Sequence, residues 1–284
     1  MDGIAGEQKD NSEPALHEVS GAGHPILMSR DSGLLTIRIN IPDRRNALNT
    51  EVALQLLEAV QSARDDSDVR AVLLMGAGDT FCVGGDVKGM ASPTKKPASF
   101  EAKFASMQRT MEITRILHEM AKPVVVAVRG AAAGAGFALA LSADFRVVGE
   151  NAKLTTAFSK LGLSGDYGCL YYLTKAIGGA KARELAMLSP VLSGNEAYAL
   201  GLVTRVVRDE DVNQAALELA MSLAEGPTVA LGYIKKNINN AGDLSLSKYL
   251  ESEAMHHGRC LQTEDYNEAA TAFVQKRRPN FKGQ

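Results

Sequence analysis

Two glycine-rich stretches and one aspartate are where this sequence could do chemistry. The first stretch is Phe81-Cys82-Val83-Gly84-Gly85-Asp86-Val87-Lys88; the second runs from Gly130 through Gly134, Ala135 and Gly136 to Leu139. Each follows an apolar run, 69–75 and 123–128. Glycine carries no Cβ, so another group can approach the backbone closely. The start of a helix leaves N–H groups without intrahelical acceptors. Two such turns side by side would aim two N–H donors at one oxygen, which is an oxyanion hole. The plainer reading of either turn is tight packing between strands and helices. The aspartate is Asp166, in Leu161-Gly162-Leu163-Ser164-Gly165-Asp166-Tyr167-Gly168. As a local feature it is an N-cap for the helix that follows. Beside an apolar pocket it is instead a base whose pKa desolvation raises.

Other chemistries find little support. Gly134-x-Gly136 followed by Ala138 is similar to a dinucleotide fingerprint, but Asp144 comes too early to be the ribose-binding acid expected about 20 residues on. His118, His256 and His257 lack the spacing of a metal-binding helix, so no metal is expected. There is no GxSxG elbow. Cys82, Cys169 and Cys260 are an odd set without CxxC spacing, which excludes a disulfide framework and suits a reducing, cytoplasmic compartment. With 31 basic and 33 acidic side chains the net charge is −2, which offers no long-range field to nucleic acid or an anionic membrane. No run approaches the ~20 apolar residues of a membrane span.

The elements that must position these groups are legible in the hydrophobic pattern. Leu34–Ile39 alternates as a strand, while 69–75 and 123–128 are continuous apolar strands of a sheet covered on both faces. Asn49 caps a helix to about Arg64, and 98–121 is a long helix. Residues 145–148 and 154–158 are two further short strands. After residue 168 the chain reads as helices over 168–176, 180–188, 193–200, 211–225, 227–240, 244–261 and 264–275, with a capping box at Ser193 and Glu196. Strands first and helices last predict an α/β core with a helical C-terminal part. Residues 1–24 are polar and turn-rich and are expected to be a disordered tail. The core is placed at 25–205 and the helical region at 206–284, with a mobile loop over 91–100.

Five segments in order carry a family resemblance: IPDRRNALN at 41–49, GAGDTFCVGGDVKGM at 76–90, KPVVVAVRGAAAGAGFALALSADFRV at 122–147, AFSKLGLSGDYG at 157–168 and FVQKRRPNFKG at 273–283. Together they resemble the crotonase (enoyl-CoA hydratase/isomerase) superfamily from about residue 28 to the end. The resemblance implies a crotonase-like spiral of ββα units with a C-terminal helical trimerisation region. It implies an acyl-CoA thioester as partner, assembly as a homotrimer or dimer of trimers, and no cofactor beyond the coenzyme A of the substrate. The thioester oxygen would sit between the N–H groups of Gly85 and Ala135. The segment holding Arg44, Arg45, Ala47 and Leu48, together with Val83, Asp86 and Lys88, would line the coenzyme A pocket. Lys276 would approach its nucleotide, often from a neighbouring subunit.

The departures from the family pattern are as informative. Hydratases of the family carry two glutamates, where this chain has Ala138 and Phe158. Neither residue can move a proton. Asp166 instead matches the single aspartate of the isomerase branch, which includes phenylacetate-pathway isomerases. The dehalogenase branch needs a tryptophan, and this chain has none. The resemblance therefore implies an enoyl-CoA isomerase working through an enolate. A variant is opening of a ring epoxide to a seven-membered heterocycle. Leu163, Phe158 and Phe137 are expected around the acyl group. An acyl-CoA hydrolase or another lyase or hydratase of the family, and a non-catalytic acyl-CoA-binding subunit, are the alternatives.

Overall fold

The computed structural model describes residues 17–18, 23–90 and 98–284. Most of the tail expected over 1–24, and residues 91–97 of the loop expected over 91–100, lie outside them. Ser99 is already the N-cap of a helix, its side chain accepting from Ala102 N.

The strands are β1 (His17–Glu18), β2 (Ile26–Asp31), β3 (Leu34–Ile39), β4 (Ala71–Gly76), β5 (Val124–Val128), β6 (Ala131–Ala133), β7 (Phe145–Gly149), β8 (Lys153–Thr155) and β9 (Arg205–Val207). The helices are α1 (Thr50–Asp65), α2 (Val87–Met90), α3 (Phe100–Glu119), α4 (Ala135–Ser142), α5 (Cys169–Leu188), α6 (Gly194–Ala199), α7 (Val212–Ala224), α8 (Thr228–Asn240), α9 (Leu246–Cys260) and α10 (Glu264–Gln275).

Among the described residues, seven strands form the main sheet in the order β1-β2-β3-β4-β5-β7-β9. The β1–β2 and β2–β3 pairs are antiparallel, and every later pair is parallel. Beside it runs a ladder of short pieces: Leu48 bridges Gly85, Cys82 bridges Ala132, β6 pairs with β8, and Leu154 bridges Leu192. Each turn of chain thus gives a long strand to one sheet, a short piece to the other, and then a helix. That is a spiral of ββα units, as expected.

The apolar strands divide their residues between two layers because neighbouring side chains point to opposite faces. From β4, Val72 and Leu74 pack with α1 and α3, while Leu73 and Met75 pack with α7. Val212, Ala216, Ala220 and Ala224 form the buried stripe of α7. Three alanines spaced four apart let that helix lie close to the sheet. The layer fed by α7 crosses residue 205, since β9 closes the edge of the same sheet. Helix α8 is tied to the core by Lys235. Its buried Nζ donates to Leu117 O (2.7 Å) and to Asp144 Oδ2 (2.8 Å). Asp265 at the start of α10 accepts from Lys282 N (2.7 Å) and Gly283 N (2.9 Å), anchoring the chain end.

Several expectations change. The helices expected over 168–176 and 180–188 form one run, α5, broken only at Gly178, whose φ of 75° and ψ of 160° are not helical. The strand expected to Phe158 stops at Thr155, because Ala157 takes a left-handed φ of 58° and turns the chain. Within the second glycine-rich stretch, Ala131–Ala133 is a strand and not a loop. Strand β2 and the short strand β9 carried too weak an alternation to be read.

Candidate active site

The loop after β4 and the start of α4 are stitched together by main-chain bonds. Cys82 N donates to Ala131 O (3.0 Å), and Ala133 N donates to Cys82 O (3.1 Å). On the other side, Leu48 N donates to Gly84 O (2.7 Å) and Asp86 N to Leu48 O (3.0 Å), so Gly85 is held between two fixed neighbours. The approach is possible only with glycine. A Cβ on Gly136 would stand 2.1 Å from Cys82 O, and one on Gly84, at φ 88°, would stand 2.6 Å from Ala133 O. The result is two main-chain donors on one wall. Among the described residues, neither Gly85 N–H nor Ala135 N–H has a protein acceptor. Ala135 is also the first residue of α4, where the helix presents unsatisfied N–H groups and a partial positive charge.

Asn46 braces this wall from below. It is fully buried at φ 55°; its Nδ2 donates to Ala77 O (2.9 Å) and Thr80 O (2.6 Å), and its Oδ1 accepts from Ile41 N (2.9 Å). One side chain therefore ties the 41–48 segment to the end of β4.

The two donors open on a cavity of about 150 Å³ that also holds Asp166. Its far wall is α3, through Ser106, Met107 and Thr110, together with Asp166 and Tyr167. Leu48 and Ala53 supply apolar floor. Asp166 is not the side-chain cap of α5; the cap position is Gly168. Its main-chain carbonyl accepts from Cys169 N (3.0 Å), and Asp166 is one of the residues that line the cavity. Oδ1 accepts from Tyr167 N at 2.7 Å. Burial pushes the carboxyl's pKa above the ordinary carboxylate value, and the Tyr167 N–H opposes this in part. Thr114 Oγ1 donates to Tyr167 O (3.0 Å) and so ties the turn to α3.

Of the residues singled out in the sequence, Leu48, Gly85, Asp86, Ala135 and Asp166 meet at this cavity. The others do not line it among the described residues. Arg44 is exposed and lies 3.6 Å from Asp86 Oδ2. Arg45 is exposed and contributes a carbonyl that accepts from Val83 N (3.2 Å). Ala47 is buried and Val83 half-buried. Lys88 is exposed on α2, and Lys276 is exposed at the end of α10 with a left-handed φ of 53°. The apolar surround differs from expectation. Phe137 is in the core, Leu163 is 53% exposed, and neither lines the cavity. Phe158 is buried, its ring 3.7 Å from where a Gly134 Cβ would stand, and Ala138 is wholly buried. The two positions that the resemblance gives to the hydratase glutamates thus hold packed apolar groups.

Tyr167, Thr110 and Met107 were given no role from the sequence, and Asn46, in the segment expected to line the coenzyme A pocket, is instead a fully buried brace. The one signal for Thr110 was a polar residue on the buried stripe of a long helix. Among the described residues, no group of three His, Cys, Asp or Glu could hold a metal ion. No described helix is long and apolar enough to cross a membrane.

The family model described as enoyl-CoA hydratase/isomerase matches residues 29–284. The chain is 38% identical to the 1,2-epoxyphenylacetyl-CoA isomerase of Escherichia coli, over 91% of this chain and 98% of that protein. It is 30% identical to the crotonyl-CoA hydratase of Syntrophomonas wolfei, over 90% of this chain and 97% of that one. The crystal structure of an enoyl-CoA hydratase from a Polaromonas species superposes with a TM-score of 0.85 at 33% identity, covering 90% of this chain and 99% of that chain.

Proposed function

The chain belongs to the enoyl-CoA hydratase/isomerase family, and from that premise we propose that it is an acyl-CoA isomerase that shifts a double bond with one aspartate. In this reading the thioester oxygen lies between Gly85 N–H and Ala135 N–H. Asp166 takes a proton from the α or γ carbon, and the electron pair moves to the thioester oxygen as a dienolate. Fixed main-chain dipoles stabilise that charge without reorganising. Asp166 then returns the proton to the other carbon, the double bond has moved, and no atom is gained or lost. One base suffices because the proton leaves and returns on one face.

The observation that carries this reading is the contrast between the two carboxylates at the cavity. Asp86 is committed: Oδ1 accepts from Gly89 N (3.0 Å) and Oδ2 faces Arg44 at 3.6 Å. Asp166 has a partner on Oδ1 alone among the described residues. Its raised pKa brings it nearer the working range of a general base. With Ala138 and Phe158 at the positions that the resemblance gives to the hydratase glutamates, no uncommitted carboxylate besides Asp166 lines the cavity among the described residues.

The 38% identity to an epoxyphenylacetyl-CoA isomerase favours one second reading, in which a ring epoxide opens to a seven-membered oxygen heterocycle and Asp166 steadies developing positive charge or shuttles a proton. Assembly as a homotrimer or dimer of trimers goes with either, supported by apolar side chains left exposed on the C-terminal helices, such as Leu246, Leu250, Met255, Phe273 and Val274. No cofactor beyond substrate coenzyme A, and a cytoplasmic location, complete the proposal.

The test is an acyl-CoA panel read by mass and ultraviolet absorbance, wild type against Asp166→Asn. An isomerase returns product of unchanged mass with coenzyme A attached, and the variant loses turnover. Gain of one water, or release of free coenzyme A, assigns the hydratase or hydrolase reading instead. A thermal shift with thioesters but no turnover across the panel assigns a binding subunit.

A further inference from the structure

Helix α3 carries two threonines on its buried stripe, Thr110 and Thr114, one turn apart. Inside a helix, a threonine hydroxyl ordinarily bonds back to a carbonyl of the preceding turn. Thr110 gives its proton there, to Ser106 O or Met107 O, both at 3.2 Å. Thr114 has a further acceptor outside its own helix. Met111 O and Tyr167 O each lie 3.0 Å from its Oγ1. A hydroxyl has one proton to give. Met111 O already takes the N–H of Arg115 in the α3 ladder. Among the described residues, Tyr167 O has no other donor. A buried carbonyl left unpaired costs free energy, so the proton belongs to Tyr167.

Tyr167 stands at φ 50°, a left-handed conformation uncommon for an aromatic residue and kept only where the surroundings enforce it. Two contacts hold it: the ring is buried, and the carbonyl is tied to Thr114. In that conformation the Tyr167 N–H reaches Asp166 Oδ1 at 2.7 Å. Oδ2 has no partner among the described residues. The carboxyl is thus oriented by a single N–H, on a residue whose other end Thr114 holds. Thr114 itself is buried and does not line the cavity.

We propose that Thr114 is a positioning residue for Asp166: through Tyr167 it fixes Oδ1 on the N–H and leaves Oδ2 to take the substrate proton. This rests on the reading of Asp166 as the base. Without the hydroxyl, Tyr167 relaxes out of the left-handed region and its N–H leaves Oδ1. The carboxylate then loses the donor that stabilises its charge, and burial raises its pKa unopposed. The groups around the carboxyl keep that signal clean. Burial pushes Tyr167 and Cys169 up to about 12, so both stay neutral. Asp86 is engaged by Gly89 N and faces Arg44. The α1, α3 and α4 walls bring no ionisable side chain to the cavity among the described residues.

The experiment titrates the Asp166 carboxyl carbon by nuclear magnetic resonance in the full chain, with isotope-labelled aspartate and Asp166→Asn to assign the signal. Thr114→Val removes the hydroxyl and keeps the shape; its Asp166 is expected to titrate at higher pH than in wild type. Thr114→Ser keeps the hydroxyl and is expected to titrate with wild type. On an acyl-CoA that is turned over, the valine variant lowers kcat roughly tenfold to a hundredfold with KM held, the effect of a misplaced catalytic group. It also moves the acid limb of kcat/KM to higher pH, and serine restores both. Thr114→Ala stands in if the valine variant does not fold. An Asp166 titration unmoved by valine, even with a lower melting temperature, would assign Thr114 to packing alone and overturn the proposal. So would a serine variant that shifts as valine does, or a raised KM at unchanged kcat. The titration needs no turnover, so it is read whether or not the chain is an isomerase; full turnover by Asp166→Asn would sink that reading separately.

Discussion

In the proposed mechanism the working atoms on one wall of the cavity are the main-chain N–H groups of Gly85 and Ala135, locked by ladder bonds through Leu48, Cys82 and Ala133. On the other, the Asp166 carboxyl hangs from a turn in which Gly162, Gly165, Tyr167 and Gly168 all take positive φ, and Ser159 to Ser164 are exposed. The first wall depends on the absence of side chains. The second depends on which side chains are present. A main-chain donor can be reused for any thioester, since its geometry is set by the sheets. The identity of the reaction then lies with the less regular wall, where one residue changes the chemistry without disturbing the ladder.

The sharpest way to break this contrast is Asp166→Asn. Loss of a positioned general base removes about 10²–10⁴ in rate. Because Asn keeps the shape and can still accept from Tyr167 N, the affinity for an inert acyl-CoA should hold, as measured by calorimetry. A parallel fall in affinity would show that the turn is not separable from the binding wall.

Gly136→Ala attacks the opposite wall. Its Cβ would meet Cys82 O at 2.1 Å, a main-chain atom that cannot move aside cheaply. Displacing one oxyanion donor is expected to lower kcat by about 10²–10³, with a lower melting temperature. A variant that keeps full rate would show that the close approach of the two loops is not needed.

The pH dependence separates the walls by sign. Asp166 has a folded-state pKa raised by burial. The folded protein then binds the proton more tightly than the unfolded chain, so this group's contribution to stability falls as pH rises through the folded pKa. Asp166→Asn should therefore melt above wild type at pH 7. The gap should close as pH falls below about 4, where both states of the wild type are protonated. Activity runs the other way: kcat/KM falls as pH drops and the base is protonated. If the variant melts below wild type at pH 7, the carboxylate is not held at an energetic loss.

The smallest effect is expected at Gly162. A Cβ there would meet nothing within 4 Å, and only its φ of 67° resists substitution. Gly162→Ala should cost about 1–2 kcal/mol in denaturant melts with the rate nearly unchanged. A large loss of rate would mean that the exposed part of the turn helps aim Asp166.

Much of the oxyanion wall was legible because it is written in local signals. Apolar runs mark the strands, and glycines mark the turns that follow them. The pairing of Gly85 with Ala135 came from the family resemblance, since nothing local links residues fifty positions apart. Asp166 was legible as a carboxylate before a helix, yet its sequence context equally described an N-cap. Only the placement of Gly168 at that cap, and of α3 opposite, gives the carboxyl to the cavity. The apolar surround was misjudged for a related reason. Leu163 and Phe137 are near in sequence to Asp166 and Ala135, but the turn exposes the first and the α4 helix buries the second in the core.

By itself, the sequence determined the alternation of strand and helix, the glycines that admit two close-packed loops, the apolar residues where hydratases of the family carry glutamates, and the presence of a lone acid near an apolar helix. Tertiary structure decided which of these share a cavity. Hydrophobic period and turn chemistry act over a few residues, whereas the cavity joins segments from Leu48 to Tyr167. Its volume, the inward turn of Tyr167 and the difference between Asp86 and Asp166 arise from packing among those segments, and packing is a property of the folded chain alone.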